Sequence, residues 1–153
     1  MYPINIEFFS GTTLAVLPHQ GCYQEIGPVF ERAMALATER GLAGKNALGY
    51  GVYFDDPEEV PVAELRAVVG MSVAPGADLG DALQRFEIPA GQYAILDYSG
   101  PADEVINAYQ WLFAEWLPAS GREPADFPLF EQYLHDAGTP PELLSARIFM
   151  QLK

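Results

Sequence analysis

The chain has 153 residues, enough for one compact domain, and half of them are hydrophobic, so a sizeable core can be buried. Its formal charge of −13, from 21 acids against 8 Lys and Arg, argues against an ordinary nucleic-acid binder, which needs cations to displace counterions from phosphates. The acidity suits solubility, contact with a basic surface or attraction of cationic small molecules. No apolar run reaches the roughly 18 residues of a membrane span. The N-terminus MYPINIEFF has neither the basic start nor the cleavage site of a signal peptide, and the single cysteine, Cys22, fits a reducing compartment, so a cytoplasmic protein is expected.

Residues 2–9 read as a strand and 10–12 as the turn after it. A second strand runs to Gln20, with Pro18 marking an edge position or a bulge. A helix starts between Cys22 and Gly27. Its apolar face is Ile26, Val29, Phe30, Ala33, Met34 and Ala37, the period of a helix lying on a sheet. Pro28 is tolerated only in or near the first turn, and Gly41 is placed to end the helix. A Gly-Lys-Asn turn at 44–46 leads into a strand over Leu48–Phe54, then a helical turn within Pro61–Leu65 and a strand over Arg66–Ala74.

Pro75–Asp78 is a linker. A strand near Ala82–Ile88 breaks at Pro89-Ala90-Gly91 and resumes over Gln92–Tyr98. The second helix begins after Gly100-Pro101, with Val105, Ala108, Tyr109, Leu112, Phe113 and Trp116 as its buried face and Pro118 with Gly121 as its stop. Phe127–His135 and Arg147–Leu152 complete the strands.

The second half repeats the first. Moving back by 79 positions lays Ala94 on Ala15, Leu96 on Leu17, Gly100 on Gly21, Pro140 on Pro61, Ala146 on Ala67 and Met150 on Met71. One offset fitting separated segments indicates one unit used twice, about 1–75 and 79–153, within a single domain over 1–153. Each unit is β-(β)-α-β-β. A pseudo-twofold pair of such units gives an α+β fold: an antiparallel sheet with both helices on one face.

Positions needed only for folding tolerate similar residues in both copies, so a broken symmetry marks candidate chemistry. Alternation along FPLFEQYLH puts Leu129, Glu131, Tyr133 and His135 on one face. Matching Tyr133 to Tyr53 requires an offset of 80, and Glu131 then falls on Gly51. A carboxylate flanked by rings, facing a glycine's empty space, suits a cation or a flat ring system; the alternative is a rim glutamate in water. On the second helix Trp111 replaces Arg32 and Glu115 replaces Leu36, four residues apart on one shoulder. That pair either lines a cleft or packs on a neighbouring loop. The candidate ligand-binding set is therefore Gly51, Tyr53, Tyr109, Trp111, Glu115, Glu131 and Tyr133. No Walker loop, dinucleotide fingerprint or Cys/His metal spacing is present, so neither cofactor nor metal is expected. His19 and His135 lack catalytic partners in sequence.

The chain resembles the GyrI-like small-molecule-binding domains, also found as effector-binding halves of AraC-type and MerR-type regulators. The resemblance rests on Tyr53-Phe54-Asp55-Asp56-Pro57 followed by Pro61 and Leu65-Arg66. Gly91-Gln92-Tyr93-Ala94, the run from Trp111 to Pro118 with Ser120-Gly121, and Phe130-Glu131-Gln132-Tyr133-Leu134 support it. It departs from the family pattern at Asp56, where Asn is common, at Ala67-Val68, where an acid is expected, and at Cys22, where Pro is usual.

The resemblance implies a duplicated SHS2-type fold with a ligand cleft between the units, and it places Glu131 in the pocket that meets cationic aromatic compounds. The function it implies is a stand-alone domain binding hydrophobic or cationic molecules, as sensor or sequestering protein, without direct nucleic-acid binding. Two alternatives follow from the same resemblance. One is a hydrolase of strained electrophiles with Glu131 as general acid or base; the other is a protein partner that restrains DNA gyrase or joins a regulator.

Overall fold

A computed structural model describes residues 2–42, 48–134 and 144–153. The turn expected at 44–46 and the positions of His135, Asp136 and Pro140 lie outside the described residues. Eight strands form one sheet: β1 (Ile4–Phe9), β2 (Thr12–Gln20), β3 (Gly49–Tyr53), β4 (Arg66–Val73), β5 (Gln84–Ile88), β6 (Gly91–Gly100), β7 (Leu129–Tyr133) and β8 (Leu144–Gln151). Their order is β1-β6-β8-β7-β3-β4-β2-β5, and every pairing is antiparallel. Reversing the order exchanges β7 with β3, β8 with β4, β6 with β2 and β1 with β5, which is the pseudo-twofold arrangement. The outer strands are traded: β1 pairs with β6 of the second half, and β5 with β2 of the first.

The helix α1 (Ile26–Glu39) follows a 3-10 turn at Tyr23–Glu25. Pro28 sits in its first turn, where no intrahelical N–H is required, and Phe30, Ala33 and Ala37 are buried as the spacing predicts. The second helical segment begins as a 3-10 turn at Ala102–Glu104 and continues as α2 (Val105–Trp111), a π turn (Leu112–Trp116) and α3 (Leu117–Ser120). Pro118 therefore does not stop the helix. The π turn, closed by Leu117 N–H to the Leu112 carbonyl, widens the helix just before a residue that has no N–H to donate. The stop is Gly121, left-handed at φ 71°.

Both helices cover one face. Val69, Gly51, Glu131 and Ile148 are consecutive cross-strand partners, so their side-chain positions share a face. At one end of this row Val69 packs with Phe30 of α1, and at the other Ile148 packs with Ala108 and Leu112 of α2 and the π turn. The opposite face is an aromatic core. Phe130 and Phe149, fully buried on β7 and β8, stack at 4.7 Å with planes 13° apart, and Phe9 and Tyr93 close around them. This clamp fixes β7 from below and turns the neighbouring Glu131 toward the helices.

Pro18 lies past the last β2–β5 pair, where β2 is an edge on that side, as its sequence position suggested. Phe113 differs from expectation: it is 45% exposed rather than buried. Ala108 and Leu112 hold the core-facing line, which leaves Phe113 on the flank of the helix. No helix among the described residues is long and apolar enough to cross a membrane.

Candidate functional site

The site forms where β3 and β7 meet at the pseudo-twofold axis. Gly51 and Glu131, equivalent in the two copies, are also direct cross-strand partners, so the axis passes between them. Antiparallel pairing then places Tyr53 beside Leu129 and Tyr133 beside Gly49, which puts the two tyrosines on opposite sides of the Gly51/Glu131 pair. Their hydroxyls meet at 2.5 Å.

The space over Gly51 is not empty, as the sequence reading had it. A methyl group at position 51 would come within 2.6 Å of the Tyr133 hydroxyl and 2.8 Å of the Tyr53 hydroxyl. Glycine is required because the two phenols cross there.

Glu131 is 5% exposed. Tyr109, reaching from α2, donates to its Oε2 at 2.5 Å, and Tyr133 also hydrogen-bonds the carboxylate. Among the described residues no Lys, Arg or His pairs with it. Burial raises its pKa to about 6, against the two phenol bonds, which pull it down. The three phenols are pushed well above the usual tyrosine range, chiefly by burial, with the Glu131 charge adding to each. They remain neutral donors near pH 7 while the carboxylate ionises. The result is a desolvated negative charge held by neutral phenols inside an aromatic wall.

The wall extends beyond these four residues. Phe30 of α1 meets the Tyr133 ring edge-on at 5.6 Å, and Tyr23 meets the Tyr53 ring at 4.8 Å. Tyr23 is tied in turn: its hydroxyl donates to the Arg66 carbonyl at 2.7 Å and accepts from the Asp55 N–H at 3.1 Å. Asp55 closes a salt bridge to Arg66 at 3.1 Å. The Tyr-Phe-Asp-Asp-Pro and Leu-Arg motifs thus meet at a clasp holding one end of the wall. Glu58, in the turn after β3, accepts from Gln110 of α2 at 3.1 Å.

Of the seven residues singled out by sequence, five converge here: Gly51, Tyr53, Tyr109, Glu131 and Tyr133. Trp111 and Glu115 do not. Trp111 packs on Tyr2 at 5.6 Å on the side toward the β1 edge, and Glu115 is solvent-exposed. Tyr109 was grouped with the core face, and its phenol proves to be the donor to Glu131. Tyr23 was noted only as part of a motif; its edge-on contact with Tyr53 depends on β4 pairing with both β2 and β3, which no local pattern encodes. No cluster suited to a metal ion occurs among the described residues.

A family model described as "GyrI-like small molecule binding domain" matches residues 2–153. A DNA gyrase inhibitor from Edwardsiella piscicida is 33% identical over 146 residues, covering 92% of each chain. Among solved structures, the EcmrR C-terminal domain superposes with a TM-score of 0.83 at 14% identity, over 100% of this chain and 98% of that one. SAV2435, solved bound to tetraphenylphosphonium, gives a TM-score of 0.64 at 13% identity, over 99% and 94%.

Proposed function

This chain belongs to the family of GyrI-like small-molecule-binding domains, and on that premise we propose that it binds hydrophobic aromatic cations over Glu131, between α1 and α2, as a sensor or sequestering protein. One observation carries the reading: a carboxylate 5% exposed, ringed by phenols and without a cationic partner among the described residues. A partly buried unit charge attracts an opposite charge about 4 Å away by roughly 4 kcal/mol, and aromatic faces add to it. The structural neighbour bound to tetraphenylphosphonium supports this ligand class. The net charge of −13 favours approach of cations, and the lone Cys22 fits a cytoplasmic setting.

The test is a thermal melt with tetraphenylphosphonium. At about a hundredfold over the dissociation constant the ligand stabilises the fold by roughly 2.7 kcal/mol, a rise on the order of 5–10 °C for a domain of this size. Glu131→Gln keeps the shape, loses most of that rise and melts no lower without ligand. An equal rise in Glu131→Gln sinks the charge-recognition role. A second reading, contact with DNA gyrase, is favoured by the Edwardsiella relative's name and by the match over 92% of each chain. Capture of purified gyrase by the parent protein, lost at high salt, supports it; no capture at low salt removes it.

A further inference from the structure

We propose that two copies of this chain join through β1, antiparallel and edge to edge, with the twofold axis at Ile6. β1 ends the sheet, and among the described residues only β6 pairs with it. The Pro3 carbonyl accepts from the Asp97 N–H at 2.9 Å, so Pro3 and, at every second residue, Asn5, Glu7 and Phe9 turn their backbone groups toward β6. Ile4, Ile6 and Phe8 turn theirs outward. The Gln92 carbonyl, opposite Phe8, agrees with this: it points away from β1 and accepts from the Leu152 N–H.

The same three residues carry the apolar side chains of this edge. Ile4 packs on the core under α2, whereas Ile6 is 40% and Phe8 65% exposed. An open edge with apolar side chains is a template for another strand, and proteins ordinarily blunt it. The opposite end of the sheet is blunted. Along β5, Arg85 donates to the carbonyls of Pro75 and Ala77, and Phe86 lies against Phe54 and Phe127. β1 contains no Lys, Arg or Pro, and its one charge, Glu7, is turned to the other face, where Arg147 meets it at 3.4 Å.

The occupant is a second copy because the edge matches itself. With Ile6 on the axis, Ile6 faces Ile6 and Ile4 faces Phe8 of the other chain. Each pair exchanges both backbone bonds, since all of these groups point outward. Directly opposed side chains share a face, so the exposed Phe8 ring and the Ile6 side chain are covered by Ile4 and Ile6 of the second copy. On the other face Glu7 comes to lie opposite Asn5, whose amide can donate to it. Moving the axis to Glu7 would set two carboxylates against each other, and moving it to Asn5 carries Phe8 past the start of the other copy's strand. Charge and hydrogen bonding therefore choose one register. Pairing of β1 with β5 of the next copy would run head to tail and grow without closing, and the braced β5 edge opposes it.

The test is sedimentation equilibrium of the unliganded chain. One strand per copy makes a small interface, so the mass is expected to rise from one chain at about 1 μM toward two at about 1 mM. Added salt is expected to strengthen the dimer, because it screens the −13 charge of each copy. Ile6→Pro removes only an outward N–H and leaves the bonds to β6 in place. It is expected to weaken the dimer at least tenfold, about 1.4 kcal/mol, and to melt within a few degrees of the parent. Ile6→Lys, which sets two ammonium groups on the axis, serves where the proline variant does not fold. In a Cys22→Ser background, Ile6→Cys is expected to cross-link to itself on oxidation. Phe8→Cys, at the more exposed position, is not, because in this register Phe8 meets Ile4. A parent that stays monomeric to about 1 mM, assemblies larger than a dimer, a dimer that survives the Ile6 variants, or cross-linking through Phe8→Cys in place of Ile6→Cys overturns the proposal.

Discussion

The two halves of this sheet present the same backbone to the pseudo-twofold axis and different chemistry upon it. Tyr53 and Tyr133 are kept as a matched pair across the axis, with their hydroxyls in contact. Around them the first half offers Gly51 and Phe30 where the second offers Glu131 and Tyr109. Each change alone would be a defect: a buried carboxylate short of a donor, or a buried phenol with no carboxylate to donate to. Together they are complementary. The second half carries the charge and its hydrogen-bond donor together, while the first half is small and apolar where the phenols cross.

Restoring the symmetry should be the most damaging test of this comparison. Gly51→Glu places a second carboxylate directly across from Glu131, in space already filled by two hydroxyls. An uncompensated buried charge costs about 3–5 kcal/mol, so the melting temperature should fall by roughly 6–20 °C. A variant melting within a couple of degrees of the parent would show that the axis position is not closed.

Tyr109→Phe makes the second half resemble the first at the helix. At pH 7.5 it removes a donor from an ionised carboxylate, for a loss of about 1.5–3 kcal/mol in urea unfolding. At pH 5, where Glu131 is largely protonated, the loss should shrink to about half or less. A pH-independent loss would mean the hydroxyl serves packing rather than charge.

The pH profile sharpens the same contrast with a smaller effect. The Glu131 pKa is raised from its ordinary 4.5 to about 6 in the folded protein. The folded state therefore binds this proton more tightly than the unfolded chain does. Its contribution is fully present below pH 4.5 and is lost as pH rises through 6, a decline of about 2 kcal/mol. Asp55, held below its ordinary value by Arg66, acts with the opposite sign and at lower pH. Subtracting the Glu131→Gln profile from that of the parent isolates the step; a flat difference between pH 4 and 7 would contradict the buried-charge assignment.

Much of this architecture was legible because repetition is a local property. The offset of 79 located both halves, and the slip to 80 between Tyr53 and Tyr133 picked out Gly51 and Glu131, now seen as direct partners. What could not be read depends on contacts between distant segments. Trp111 lies against Tyr2, from the other end of the chain, and not beside Glu131. Phe113 is exposed on the flank of a helix that passes through a π turn ahead of Pro118, where a uniform 3.6-residue period put it in the core. The filled space over Gly51 results from two side chains on different strands, and glycine in the sequence shows only that something small is needed there.

The traded outer strands bear on ancestry and assembly. β1 is encoded with the first half but edges the second, and β5 does the reverse, so neither half owns a complete sheet. A single copy, made as two identical chains, would complete itself only by clasping a twin, each lending its leading strand to the other. The linker at 75–78 replaces that meeting of two molecules with a tether, which holds the second copy at a high local concentration. Once both copies lay on one polypeptide they no longer had to be alike, and Glu131 could arise on one side of the axis without being forced against its own image.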